Sequence, residues 1–108
     1  MTPRPDPEAY VEAVLRLVEQ IPPGQVATYG ELAEAVGQGG PRQVGRVMAT
    51  WGGGVPWWRV VRADGSPARG LEQEALRRLA ADGTALRCSR VVLTEARFTP
   101  PEPGSDAS

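Results

Sequence analysis

Two short helix signals in succession limit the folds open to this chain. Thr28 and Glu31 form a Thr-x-x-Glu capping box ahead of Leu32, Ala33 and Val36. Gly37 stops that helix, and Gly39-Gly40 is a flexible joint. Pro41 opens the next helix, which runs to about Thr50. Its apolar stripe of Val44, Val47, Met48 and Trp51 is expected to be buried. The opposite stripe, with the same spacing, is Arg42, Gly45, Arg46 and Ala49. Two short helices joined by a glycine-containing turn read as a helix-turn-helix.

The flanks add smaller elements. Residues 1–6 are Pro-rich and expected to be loose; Pro7 then fits the first turn of a helix capped by Asp6. Val11, Val14, Leu15 and Val18 give that helix one apolar stripe. Ile21-Pro22-Pro23-Gly24 ends it in a turn, and Gln25-Val26-Ala27 is an extended link. Gly52-Gly53-Gly54 reads as a mobile hinge, Val60-Val61 as a short strand and Asp64-Gly65 as a turn. Leu71 to Asp82 is an amphipathic helix carrying Ala75, Leu76 and Leu79, stopped by Gly83. Val91-Val92-Leu93 is predicted as a strand, pairing near Arg97-Phe98. There is no internal repeat. The chain is thus mainly α with short β segments: a single domain over 1–98 and a Pro-rich, small, acidic tail over 99–108, expected to be disordered.

Composition removes several kinds of chemistry. A chain of 108 residues supports one domain with a modest core. It contains no histidine, which excludes a Ser-His-Asp triad, a Cys-His pair and the common histidine-based zinc sites. Cys88 is the only cysteine, so no intramolecular disulfide can form. Arg87 and Arg90 can lower its pKa, but a free structural thiol is the plainer reading. No signal peptide and no apolar run of roughly 18 residues is present, so a cytoplasmic protein without membrane contact is expected. No metal or cofactor is implied.

Charge is uneven. Residues 1–39 carry two arginines and six acids, residues 40–97 ten arginines and five acids, and residues 98–108 two acids and no arginine. The second stretch is therefore at +5, although the whole chain is at −1. Every side-chain cation is an arginine, and guanidinium groups suit phosphate contact and base stacking. A genome rich in Arg codons equally explains the missing lysine.

Pro56-Trp57-Trp58-Arg59-Val60 is the most unusual stretch. Aromatic faces hold flat, π-rich ligands such as nucleobases. A core tryptophan is the bland alternative for Trp57. Three ordered motifs, spanning Ile21 to Gly83, decide between the two. They are Ile-Pro-Pro-Gly-Gln-Val-Ala-Thr-Tyr-Gly-Glu-Leu-Ala from Ile21, Pro-Arg-Gln-Val-Gly-Arg-Val-Met from Pro41, and Val-Pro-Trp-Trp-Arg-Val-Val from Val55. Together they resemble the C-terminal domain of O6-alkylguanine-DNA alkyltransferases. That family's active-site segment reads Pro-Cys-His-Arg-Val. Here Trp57 stands at the cysteine position, as in the alkyltransferase-like proteins, which bind O6-alkylguanine without accepting the alkyl group. Trp58 stands at the histidine position, where most non-reactive relatives keep histidine.

The resemblance implies a winged-helix-like fold and a set of roles. Arg42 would enter the duplex through the minor groove and fill the space left by a flipped nucleotide. Gly45 would allow close backbone approach, and Gln43 would lie on the same recognition helix. Arg46 reads equally as a phosphate contact or a solvated side chain. Tyr29 would press on the phosphate beside the target, and Thr28, first a cap, would meet phosphate as well. The lesion pocket would comprise Tyr29, Trp57, Val60, Val61, Ser66 and Arg69, with the Arg69 guanidinium over the purine face. Trp58 would pack behind the pocket, Arg59 would brace the loop, and Asp82 would serve only a helix end.

The expected function is a non-enzymatic damage sensor. It would bind duplex DNA containing O6-alkylguanine as a monomer, flip the base and flag it for nucleotide excision repair proteins. The alternatives are a helix-turn-helix transcriptional regulator, a residual alkyltransferase acting through Cys88, and a protein-interaction module docked by its tryptophans.

Overall fold

The computed structural model describes residues 7–99. The Asp6 cap, the segment 1–6 and the tail over 100–108 lie outside the described residues. Helix α1 (Pro7–Gln20) buries Val14 and Val18 completely, and Ile21 closes its end. Gly24, at φ 91°, makes the turn that leads into β1 (Ala27–Thr28). Thr28 then caps α2 (Tyr29–Val36): its Oγ1 accepts from the Glu31 N–H at 3.1 Å, and Glu31 Oε1 accepts from the Thr28 N–H at 2.9 Å. Gly37 ends the helix in the left-handed region. Helix α3 (Pro41–Trp51) follows, with Gln43 Oε1 accepting from the Gly40 N–H at 2.9 Å. The three helices close over a core that includes Val14, Val18, Leu32, Val44 and Val47.

A second, smaller core lies across a two-stranded parallel sheet. Strand β2 (Val60–Val61) pairs with β1, Ala27 opposite Val60 and Thr28 opposite Val61. Strand alternation sends Val60 into the helical core and Val61 into the second one, beside Val26, Leu79, Val91 and Ala96. Helix α4 (Glu72–Ala81) supplies Leu79. It is followed by an antiparallel hairpin of β3 (Leu86–Arg87) and β4 (Arg90–Val91), and by the short α5 (Leu93–Ala96). A helix-turn-helix with an appended β-ribbon is the winged arrangement expected from the motifs.

Four expectations give way. Val91-Val92-Leu93 is not one strand: Val91 pairs with Leu86 and the Val92 N–H donates to the Ala85 carbonyl at 2.8 Å, but Leu93 begins α5. The cause is a two-residue turn at Cys88 and Ser89, both at positive φ (52° and 62°), which folds β4 back on β3. Arg97 instead bridges Val26, with the Phe98 N–H donating to the Val26 carbonyl at 2.7 Å. Trp51 is not buried; it is 58% exposed, in a groove with Pro7 and Val11 at the end of α3. Gly52–Gly54 forms a 3-10 turn in which Gly52 is buried and Gly53 and Gly54 are exposed, so the segment has regular local structure where a hinge was expected. Helix α4 starts one residue later than the expected Leu71 and ends at Ala81.

Gly65 fixes how the hairpin docks. Its φ is 86°, and its carbonyl accepts from the Val91 N–H at 2.9 Å. A Cβ there would run into the Val91 backbone, so glycine is required on two counts.

Candidate nucleic-acid interface

Helix α3 presents a smooth, cationic face. Arg42, Gln43, Arg46 and Ala49 are exposed on it. A Cβ built on Gly45 meets nothing within 4 Å, so the backbone there is open to close approach. Gln43 already holds the Gly40 N–H, which makes it a helix cap as well as a surface residue. Thr28 does not join this face. It is buried, and its hydroxyl oxygen is engaged by the Glu31 N–H.

Beside that face lies a cavity of about 550 Å³. Tyr29 enters it from the start of α2; Gly45, Met48 and Ala49 enter it from α3. Gly52, Gly53 and Trp57 come from the two 3-10 turns that follow. Arg62, Ala68, Arg69 and Leu71 come from the segment after β2. Gly52 packs closely against this wall. A Cβ on it would lie 3.1 Å from Met48 Cε and 3.7 Å from Trp57 Cβ. Burial pushes the Tyr29 hydroxyl above its ordinary pKa, and the positive charge of Arg62 pulls the other way. Tyr29 is therefore a neutral hydroxyl at pH 7.

Three residues expected in the pocket are elsewhere. Val60 and Val61 are fully buried in the two cores. Ser66 is buried too; its N–H donates to Asp64 Oδ1 at 2.9 Å, and its carbonyl accepts from the Arg62 N–H at 2.8 Å. Those bonds occupy both the N–H and the carbonyl of Ser66. Sequence reasoning missed Met48, Gly52, Arg62 and Leu71 as lining residues. For Arg62 a signal existed: period-two alternation carries it to the side of Val60, toward α3.

The loop carrying Trp57 is pinned by its next two residues. Trp58 meets Trp57 edge-on, with ring centroids 5.8 Å apart at 89°. It packs on the second core and donates from Nε1 to Asp82 Oδ2 at 2.9 Å. The guanidiniums of Arg78 and Arg59 lie 4.7 and 5.1 Å from its ring centroid. Arg59 donates to both Asp82 oxygens, at 2.8 and 3.1 Å, and to the Ile21 carbonyl at 3.0 Å. Asp82 is thus far more than a helix end. The Arg59 hydrogen bonds first, and the Trp58 bond after them, hold its carboxyl below the usual carboxylate range.

Chemically the cavity offers apolar and aromatic surface, guanidinium groups and one neutral hydroxyl. Its lining includes no cysteine; Cys88 is exposed at the tip of the hairpin. Among the described residues, no three His, Cys, Asp or Glu side chains gather into a metal-binding group. No described helix is long and apolar enough to cross a membrane.

Comparison with known proteins meets the same arrangement. Residues 9–84 match the family model of the 6-O-methylguanine DNA methyltransferase DNA-binding domain. The chain is 28% identical over 100 residues to a "DNA base-flipping protein" of Vibrio parahaemolyticus serotype O3:K6 (strain AQ3810), covering 86% of this chain and 99% of the relative. Its structure is similar to that of S. pombe Atl1 in complex with damaged DNA containing O6-carboxymethylguanine. The TM-score is 0.76 at 31% identity, over 86% of this chain and 97% of the other. A structure of S. pombe ATL in complex with DNA gives 0.75 at 33% identity, over 90% of this chain and all of the other (100%). The helix-turn-helix and the fold around it agree with these matches: the chain belongs to the family of the 6-O-methylguanine DNA methyltransferase DNA-binding domain, as an alkyltransferase-like protein.

Proposed function

We propose that this protein is a non-enzymatic sensor of O6-alkylguanine in duplex DNA. One observation carries the reading: Trp57 walls an open cavity that also borders the small-residue face of α3. A base rotated out of a duplex seated on α3 has a short path into that cavity. Arg42 fills the vacancy it leaves, and Tyr29 presses on the neighbouring phosphate. Trp57 lines the space for the alkyl group. An indole is no replacement for a thiolate nucleophile, so the lesion is held and not repaired. The names of the relatives support the same direction, toward base flipping and damaged DNA. The full proposal is a single domain over residues 1–98, acting in the cytoplasm as a monomer and marking the site for nucleotide excision repair proteins.

A titration at fixed salt tests it, using duplexes that differ in one guanine. O6-methylguanine pairs poorly, so it costs less to flip, and its methyl group gains apolar contact. Affinity should rise by roughly tenfold over the unmodified duplex. Equal affinity for both duplexes removes the sensor reading. Mass spectrometry on the same mixtures addresses the reactive alternative: an alkyl adduct on Cys88 with restored guanine would make the protein a transferase.

A further inference from the structure

We infer that the cavity selects O6-substituents that carry a carboxylate over neutral ones of the same size, with Arg62 as the specificity-determining residue. The inference rests on the lesion-sensor reading and adds the class of lesion preferred. Two guanidiniums, Arg62 and Arg69, belong to the lining, and no carboxylate does. Glu72 stands beside Arg62: its Oε2 lies 3.9 Å from a terminal nitrogen of that arginine, beyond hydrogen-bond length. Its carboxyl is ionised: backbone N–H groups of Glu72 and Gly70, and then the charges of Arg62 and Arg69, hold it below its ordinary value. Asp64 also feels the charge of Arg62, but it is shared with Arg90, whose terminal nitrogen lies 3.9 Å from its Oδ2. Two carboxylates thus meet three guanidiniums, and a positive excess remains at the cavity.

Arg62 is also held in place. Its Nε donates to the Pro67 carbonyl at 3.0 Å, which orients the guanidinium plane. Its side chain is 36% exposed, so the charge is partly desolvated yet reachable. A methyl group on O6 offers nothing to these donors. A carboxylate accepts from the guanidinium fork and meets a planar, always-charged partner. Partial exposure discounts the gain to about fivefold in affinity.

The test uses duplexes identical except at one position: O6-carboxymethylguanine, O6-carbamoylmethylguanine and guanine. The first two share a shape and differ in charge. The wild type should bind the carboxymethyl duplex about fivefold tighter than the carbamoylmethyl one. Arg62→Gln should bring that ratio to about one, with the carboxymethyl duplex losing more affinity than the carbamoylmethyl one. Arg16→Gln, on the exposed side of α1, should leave the ratio unchanged. If Arg62→Gln folds poorly, Arg62→Lys serves: it keeps the charge, loses the fork, and should retain a smaller ratio above one. A wild-type ratio of one, or a ratio that survives Arg62→Gln, overturns the inference. If both modified duplexes outbind guanine equally, only the charge preference falls. If neither outbinds guanine, the sensor reading falls with it.

Discussion

Asp82 accepts from Trp58 and twice from Arg59, tying α4 to the loop that carries Trp57. Both members of the Arg59–Asp82 pair are largely buried, each 13% exposed. Removing the acid strands two sets of donors where water reaches poorly, and that costs about 2–3 kcal/mol. Asp82→Ala should lower the urea midpoint by the corresponding amount. Charge adds a pH signature. The folded carboxyl titrates below its unfolded value of about 3.9, so its stabilisation is present above that pH and lost as pH falls through the folded pKa. Asp64, Glu72 and Glu74 are shifted the same way, so the wild type alone does not isolate Asp82. The difference from Asp82→Asn does. The gap in unfolding free energy should hold between about pH 7 and 5 and close below about pH 4. A gap that stays constant into strong acid would show that the latch does not act through its charge.

Helix α3 is the element on which stability and binding separate. A glycine inside a helix costs roughly 0.5–1 kcal/mol relative to residues with side chains. The Cβ direction at Gly45 is open, so Gly45→Leu should raise stability by about that amount. The same side chain would stand between the helix and a duplex, and lesion affinity should fall by about tenfold or more. Thermal melting and a binding titration on the same sample check the pair. Higher stability with unchanged binding would move the interface off this face. Elements such as α2 and α3 were legible because caps and stops are written in local residue types: Thr28, Glu31, Gly37 and Pro41. The hairpin was not. Cys88 and Ser89 take positive φ without the Asn-Gly spelling that announces such a turn, so Val91 to Leu93 read as one strand. The cavity was legible at Tyr29 and Trp57 through the motifs, and at Arg69 through the resemblance beyond them. Asp82 was undervalued because its partner Trp58 is 24 residues away, and no local pattern joins them. Val60 and Val61 looked like pocket residues because they adjoin Trp57, but pairing with β1 commits both to the cores.

At the scale of the molecule, charge and architecture pull apart. The net charge is −1, which by itself gives DNA no reason to approach. The acids, however, are concentrated in residues 1–39 and the last residues, whereas ten of twelve arginines lie between 40 and 97. Of these, Arg42 and Arg46 are exposed on α3, and Arg69 is exposed at the cavity. Three phosphate contacts from such a set would release counterions and give a slope of about −2.7 for log affinity against log salt. Affinity should then drop roughly 40-fold between 50 and 200 mM salt. Arg42→Ala should weaken binding and bring the slope to about −1.8, because one cation is lost. Arg87→Ala, on the exposed hairpin, should leave the slope at about −2.7. A slope near zero, or one that follows the hairpin arginine and ignores Arg42, would put the DNA on the ribbon side of the molecule, away from both α3 and Trp57.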